Sequence, residues 1–219
     1  MVESQIHLIR HGSIDNPKDI CYGRLPLPLS EKGAGEVLEL CNVLRGRNIH
    51  FDALYTSPVL RAQQTAEILE MAGLGEIIEE REELTDVGIG ELEGKPMQII
   101  RDAQYSGARL RELGYEIETN EEIMERTREF VRHMKEKHAG ETIAFVSHGD
   151  VTRLILLCFQ GFSAESLNDL DLRDGDYLAP AEVIALQFNS EGEFLGYRHI
   201  RKTDNTNSSH ENLKRTASS

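Results

Sequence analysis

Apolar positions along the chain come as short unbroken runs and as longer periodic stretches, and the two kinds alternate. IHLIR at 6–10 is a short β-branched run that stops at His11 and Gly12, which predicts a buried strand entering a loop. Periodicity then lapses from 12 to 30, where three prolines and two glycines mark a long loop of the kind that usually carries function. Ser30 opens a helix over about 31–45, with Val37, Leu38, Leu40, Cys41 and Leu44 on one apolar face. ALYTSP at 53–58 reads as a second strand feeding a Ser-Pro helix start, and Leu60, Ala62, Ala66, Ile68, Leu69 and Met71 carry that helix to Gly73. EIIEE at 76–80 is a weaker third strand.

The stretch 82–95 is glycine-rich and acidic. Beyond it the pattern predicts helices over about 96–113 and 120–138, separated by Gly114 and a polar turn. ETIAFVSHG at 141–149 is the clearest buried strand, and VTRLILLCFQG continues it as an apolar helix. AEVIALQF at 181–188 and EFLGYRHI at 193–200 read as a terminal hairpin. Strands alternating with helices predict an α/β layered fold whose sheet is largely parallel, with the hairpin as an antiparallel edge. Residues 1–200 are expected to form one domain, and the polar residues 201–219, with almost nothing to bury, a disordered tail.

Composition narrows the function classes. No window approaches the roughly 18 consecutive apolar residues of a membrane span. The N-terminus lacks a basic start, a long apolar region and a cleavage site, so the expectation is a cytoplasmic protein. Cys21, Cys41 and Cys158 are odd in number and widely spaced, which speaks against a disulfide framework or a structural zinc site. The net charge of −14 discourages contact with nucleic acid or anionic lipid. An anionic ligand must therefore be held by a local basic pocket, which makes clustered arginines informative. The oligomeric state is left open, a homo-oligomer included.

Two strand ends carry the chemistry: Arg10-His11-Gly12 and Ser147-His148-Gly149. In an open α/β sheet, ligands bind outside the carboxyl ends of the strands, so the two histidines are expected to face one site. Gly12 and Gly149 are expected to let a backbone N–H approach the ligand unobstructed. Arg61, one turn into the helix after the second strand, points back to the same crevice. Guanidinium forks match phosphoryl oxygens, which makes phosphate the natural ligand of such a cluster. One histidine, unprotonated, would attack phosphorus while the other, protonated, holds an oxygen; the leaving alkoxide then needs a carboxylic acid, sought in EELTDVGIGELEG at 82–94. Taken singly, each of these residues reads as structural. Metal binding is the rival use of the histidines, but ligand spacing is missing and the arginines would repel a cation, so neither metal nor cofactor is expected.

At these residues the sequence resembles the histidine phosphatase superfamily, also called the phosphoglycerate mutase-like family. LIRHG, SPVLRAQQTA, GELEG and VSHGDVTR match its blocks in its order. The resemblance implies a three-layer α/β/α sandwich and a metal-independent phosphomonoesterase. His11 would be the residue phosphorylated in turnover, with Arg10, Arg61 and His148 holding the phosphoryl group. Aligning LTDVGIGELEG with the family pattern places Asp86 at the general acid and base position, where glutamate is usual. Aspartate is shorter by one C–C bond, about 1.5 Å, which leaves Glu83 as the other candidate.

Ser13 stands where an acidic residue is usual, Asn16 lies one residue short of the usual loop asparagine, and Leu92 replaces a tryptophan. The short segment between GELEG and the helix near 120 favours a phosphatase of a small phosphorylated metabolite over a mutase, with a phosphate-binding module that does not hydrolyse as the other class. CYGRLPLPLSEKG at 21–33 is similar to the loop of the alpha-ribazole phosphatase group, which adds Tyr22, Gly23 and Arg24 to the substrate-binding candidates, Arg24 as a third positive group near the mouth.

Overall fold

A computed structural model describes residues 3–163, 165–167 and 172–204. Six strands form one sheet: β1 (Ser4–Arg10), β2 (Ala53–Thr56), β3 (Ile77–Glu80), β4 (Thr142–Ser147), β5 (Val183–Phe188) and β6 (Phe194–Ile200). Their spatial order is β3-β2-β4-β1-β5-β6; the β3-β2, β2-β4 and β4-β1 pairs are parallel, and β5 and β6 close one edge antiparallel. The fold is the α/β arrangement that the alternating pattern predicts.

Side chains alternate across the sheet because the strand period is two. Ile6 and Leu8 of β1, with Ile143 and Phe145 of β4, face one core; Ile9, Ala144 and Val146 face the other. The first core is covered by α5 (Asn120–Lys137) and α6 (Gly149–Phe159), the second by α1 (Glu31–Gly46) and α2 (Leu60–Met71). In α1 the residues Val37, Leu40, Cys41 and Leu44 recur at helical spacing and are buried, and Ser30 caps the helix by accepting from the Gly33 N–H at 3.0 Å. Leu38 and Met71, which the sequence pattern assigns to apolar faces, point to solvent.

The helix expected over 96–113 is two short ones, α3 (Gln98–Asp102) and α4 (Gly107–Glu112). Gln104 and Tyr105 between them take φ of 52° and 58°, left-handed values that end a helix, and Ser106 caps the new start. This segment packs a third, separate apolar cluster made of Cys21, Ile89, Leu92, Ala103, Leu110 and Ile117. Leu92, in place of the family's tryptophan, is wholly buried there.

The tail expected over 201–219 is held at its beginning: Lys202 reaches Pro180 O at 2.6 Å, and Asp204 pairs with Arg47 at 2.8 Å. Residues 205–219 lie outside the described residues. Among the described residues no helix is long and apolar enough to cross a membrane.

His7 sits in the middle of β1 between Ala144 and Ala185, its ring edge-on to Phe51 at 5.1 Å. Neither ring nitrogen has a hydrogen-bond partner among the described residues, and burial lowers its pKa to about 4. The unfolded chain protonates this residue near 6.5. Stability is therefore undiminished by His7 above that pH and falls as pH drops from 6.5 towards 4, by about 3 kcal/mol in full. His7→Leu is expected to flatten the acid side of the stability curve by about that amount, read by urea unfolding at pH 4.5 and pH 7; an unaltered acid slope would show that the ring is not held neutral.

Candidate active site

The register of the sheet assembles the site. Arg10 pairs with Ser147 at the carboxyl ends of β1 and β4, and the His11 N–H donates to Ser147 O at 3.0 Å, so the residues that follow, His11 and His148, emerge side by side. Their rings lie 5.2 Å apart. β2 ends beside β4, with the Ser57 N–H donating to Val146 O at 2.9 Å, and α2 then brings Arg61 back over the same edge.

His11 Nδ1 donates to Gly12 O at 2.7 Å, which fixes the tautomer and leaves Nε2 as the free lone pair. Burial, then His148, Arg61 and Arg10, push its pKa well below 6.5, so the ring is neutral at physiological pH. His148 is depressed likewise, by burial and then by Arg61 and Arg10. The protonated His148 of the sequence reading is thus not the state of the free pocket, although a dianion among these groups reverses the sign of the local field. Its Nε2 meets Ser57 Oγ at 2.9 Å, while Nδ1 lies 3.3 Å from Asp86 Oδ2, within ion-pair range but without hydrogen-bond alignment.

Arg61 is fully buried and spends its donors on four partners. Its Nε donates to His11 Nε2 at 3.2 Å, one terminal nitrogen to Leu25 O at 3.1 Å, and the other to Gly23 O at 2.6 Å and Asp86 Oδ2 at 2.5 Å. The Tyr22 ring lies under the guanidinium at 5.0 Å. Arg10 donates to Leu178 O at 2.6 Å and stacks on Tyr177 at 5.1 Å. Arg10, His11, Tyr22, Gly23, Asp86 and Gly149 all line a cavity of about 350 Å³.

Of the two candidate acids, the structure brings Asp86 to this cavity and leaves Glu83 outside it, held by Arg81 through contacts of 2.8 and 3.1 Å. The Asp86 loop is drawn inward from behind. Arg24 Nε donates to Asp86 O at 2.9 Å, Arg126 donates to Thr85 O at 2.9 Å, and Glu118 binds both arginines and the Gly88 N–H. This corrects the expectation for Arg24, which is not a free charge at the mouth but a brace for the loop.

Three further expectations change. The Asn16 amide is spent on Ile20, donating to its carbonyl at 2.9 Å and accepting from its N–H at 3.2 Å, so it staples its own loop at the cavity rim. The clearance at Gly12 is needed against the chain, since a Cβ there would meet Gly33 O at 2.5 Å, and its N–H donates to Thr65 Oγ1. A Cβ at Gly149 would meet Tyr177 Oη at 2.3 Å and Arg10 Cζ at 3.1 Å, so that glycine makes room for the Arg10 guanidinium and its stacking partner.

Sequence reasoning missed Ser57, Asp150 and Tyr177. Ser57 ends the quoted strand and Asp150 belongs to the VSHGDVTR block, whereas Tyr177 comes from a stretch without periodicity. Tyr177 Oη donates to Asp150 Oδ1 at 2.8 Å, and burial followed by the charge of Asp86 raises the Asp150 pKa.

A family description, histidine phosphatase superfamily (branch 1), matches residues 6–196. The chain belongs to that superfamily. Among its relatives is a 2,3-bisphosphoglycerate-dependent phosphoglycerate mutase of Parvibaculum lavamentivorans, 29% identical over 77% of this chain and 85% of that one. An uncharacterized protein of Mycobacterium tuberculosis is 45% identical, but the match spans only 29% of this chain and 31% of the relative. Among solved structures, YhfR of Bacillus stearothermophilus superposes with a TM-score of 0.73 at 26% identity, over 87% of this chain and 94% of that one. Membership makes this an α/β protein of the phosphoglycerate mutase type, from a superfamily of phosphatases and mutases.

Within that superfamily frame, Arg61 joins two loops, through Gly23 and Leu25 of one and Asp86 of the other, to His11. Arg61→Met is expected to cost about 3 kcal/mol of stability, because Asp86 and two loop carbonyls lose their buried partner; urea unfolding measures it, and an unshifted midpoint would mean that water replaces the guanidinium.

Proposed function

We propose that this protein is a metal-independent phosphomonoesterase that hydrolyses a small phosphorylated metabolite through a phosphohistidine on His11. The observation that carries the reading is the His11 ring. Its Nδ1 proton is committed to Gly12 O, and its neutral Nε2 sits between Arg61 and His148 in a cavity that also holds Arg10 and Asp86.

In the first step the Nε2 lone pair forms the N–P bond as the ester P–O bond breaks, and protonated Asp86 gives its proton to the leaving oxygen. The Arg61 Nε, which donates to Nε2 in this structure, shifts to a phosphoryl oxygen; Arg10 and His148 hold the others. In the second step Asp86, now a carboxylate, takes a proton from water as its oxygen attacks phosphorus and the N–P bond breaks. Phosphate leaves and His11 is free again. A vicinal carboxylate does not need glutamate's reach here, because Arg24 and Arg126 hold the loop close.

Hydrolysis is favoured over transfer between hydroxyls by the small cover on the cavity. The segment above it consists of two helices of five and six residues, little to keep water from a phosphohistidine. The mutase reading is supported by relatives named as phosphoglycerate mutases, that of Parvibaculum among them. His11→Ala is expected to abolish release of phosphate from an aryl phosphate, a loss of at least about 10³-fold, and an alkaline denaturing quench of the wild type is expected to trap a phosphoprotein, stable in base and labile in acid, that Asp86→Asn accumulates. Undiminished turnover in His11→Ala would sink this mechanism, tight phosphate binding without turnover in the wild type would make the protein a binding module, and transfer between hydroxyls with little free phosphate would make it a mutase.

A further inference from the structure

The phosphate cavity opens into a second chamber of about 620 Å³, and the two share Val87, Ile89, Ile100, Tyr105, Asp150 and Arg173. A three-carbon leaving group fits within the inner chamber of about 350 Å³. The outer chamber extends the site towards larger alcohols, and its entrance is apolar apart from one acid and one base.

Charge is matched among the described residues that line the inner chamber. The inner one is lined by three arginines and three aspartates. Arg101 and Asp19 neutralise each other through two contacts of 2.6 Å, Asp86 is bound by Arg61, and Arg10 faces the phosphoryl site beside His11. Asp150 and Arg173 both line the junction of the two chambers. In the outer chamber Arg109 and Arg111 stand with Glu112 and with Glu118, which is itself bound by Arg24 and Arg126.

Asp150 is the better placed of the two to read a leaving group. It stands in the first turn of α6, directly after the glycine that clears Arg10, and lines both chambers. Its Oδ1 is fixed by the Tyr177 hydroxyl at 2.8 Å, whereas Oδ2 has no hydrogen-bond partner among the described residues. The Arg173 guanidinium lies face-on over the Tyr105 ring, 3.5 Å from its centroid. A carboxylate oriented by one oxygen and open at the other accepts a hydroxyl and repels an anion.

We infer that Asp150 selects the leaving group: the site takes monophosphate esters of neutral polyhydroxylated alcohols, whose hydroxyl donates to Asp150 Oδ2, and disfavours esters that carry a second anionic group. This inference rests on the phosphomonoesterase reading above and assigns the substrate class to it. Asp150 acts here in binding; the proton of the reaction is left to Asp86.

The test uses the full chain and two pairs of esters that differ only in CH₂OH against carboxylate: glycerol 3-phosphate against 3-phosphoglycerate, and glucitol 6-phosphate against 6-phosphogluconate. The expected result is a kcat/KM at least about tenfold higher for the polyol of each pair, a preference that Asp150→Asn narrows by about tenfold, chiefly through KM of the carboxylate ester. A wild-type preference for the carboxylates overturns the assignment, and so does an unchanged ratio in an Asp150→Asn protein that melts cooperatively. Should that variant not fold, Arg173→Gln reads the same junction: loss of the cation widens the ratio, and a narrowing overturns the inference. Absence of hydrolysis of all four esters and of an aryl phosphate overturns the phosphomonoesterase reading itself, whereas hydrolysis with a reversed ratio overturns only the role of Asp150.

Discussion

A guanidinium wholly removed from water must find partners for its N–H groups, and the positions of those partners then cease to be free. Arg61 imposes this constraint on the whole upper face of the sheet. Its acceptors come from the end of β1, from two carbonyls of the 12–30 loop, and from the loop that follows β3. Three segments distant in sequence are thereby fixed to one planar group, and the geometry of its fork sets how far apart His11 and Asp86 stand. Helix α2 supplies the rigidity: Ala62, Ala66 and Leu69 are buried on the second core, so the arginine one residue before Ala62 has little freedom to swing.

Behind this group lies a second network that is entirely polar. Glu118 binds Arg24, Arg126 and the Gly88 N–H, and the two arginines in turn bind carbonyls of residues 83–86. Burial of Glu118 alone would raise its pKa, but the hydrogen bonds from Arg126 and Gly88 outweigh burial and hold the carboxyl below its usual range. The acid loop is therefore pulled by charge on its outer side and by Arg61 on its inner side. Asp86, a short side chain, reaches the cavity because its loop is held from both sides.

The legible parts of the protein were those encoded locally. A β-branched run ending in His-Gly announces both a strand and what lies beyond it, and two such runs set in a parallel sheet meet without further instruction; this is why His11, His148, Arg10 and Arg61 could be read from sequence. The helix over 96–113 misled because its apolar spacing is continuous across Gln104 and Tyr105, and nothing in residue type announces two left-handed residues that are not glycine. Arg24 misled for a related reason: an arginine beside a glycine in a phosphate loop looks like a ligand, and its true partner, Glu118, lies 94 residues away. Tyr177 was invisible because only the tertiary fold carries it to Arg10 and Gly149. Asp150 was visible but bland, since an acid in the first turn of a helix needs no other explanation than the helix dipole.

The small apolar cluster of Cys21, Ile89, Leu92, Ala103, Leu110 and Ile117 stands apart from the two cores that flank the sheet. Ile89, Leu110 and Ile117 of this cluster line the outer chamber, and Ile89 alone of its six buried residues also lines the inner one. Substitutions there alter the shape of the outer chamber while the sheet, the arginine fork and the histidine pair keep their packing. The architecture is modular in an evolutionary sense: the histidine pair and the arginine fork are tied to the sheet, whereas the cluster is free to drift in sequence without disturbing either core.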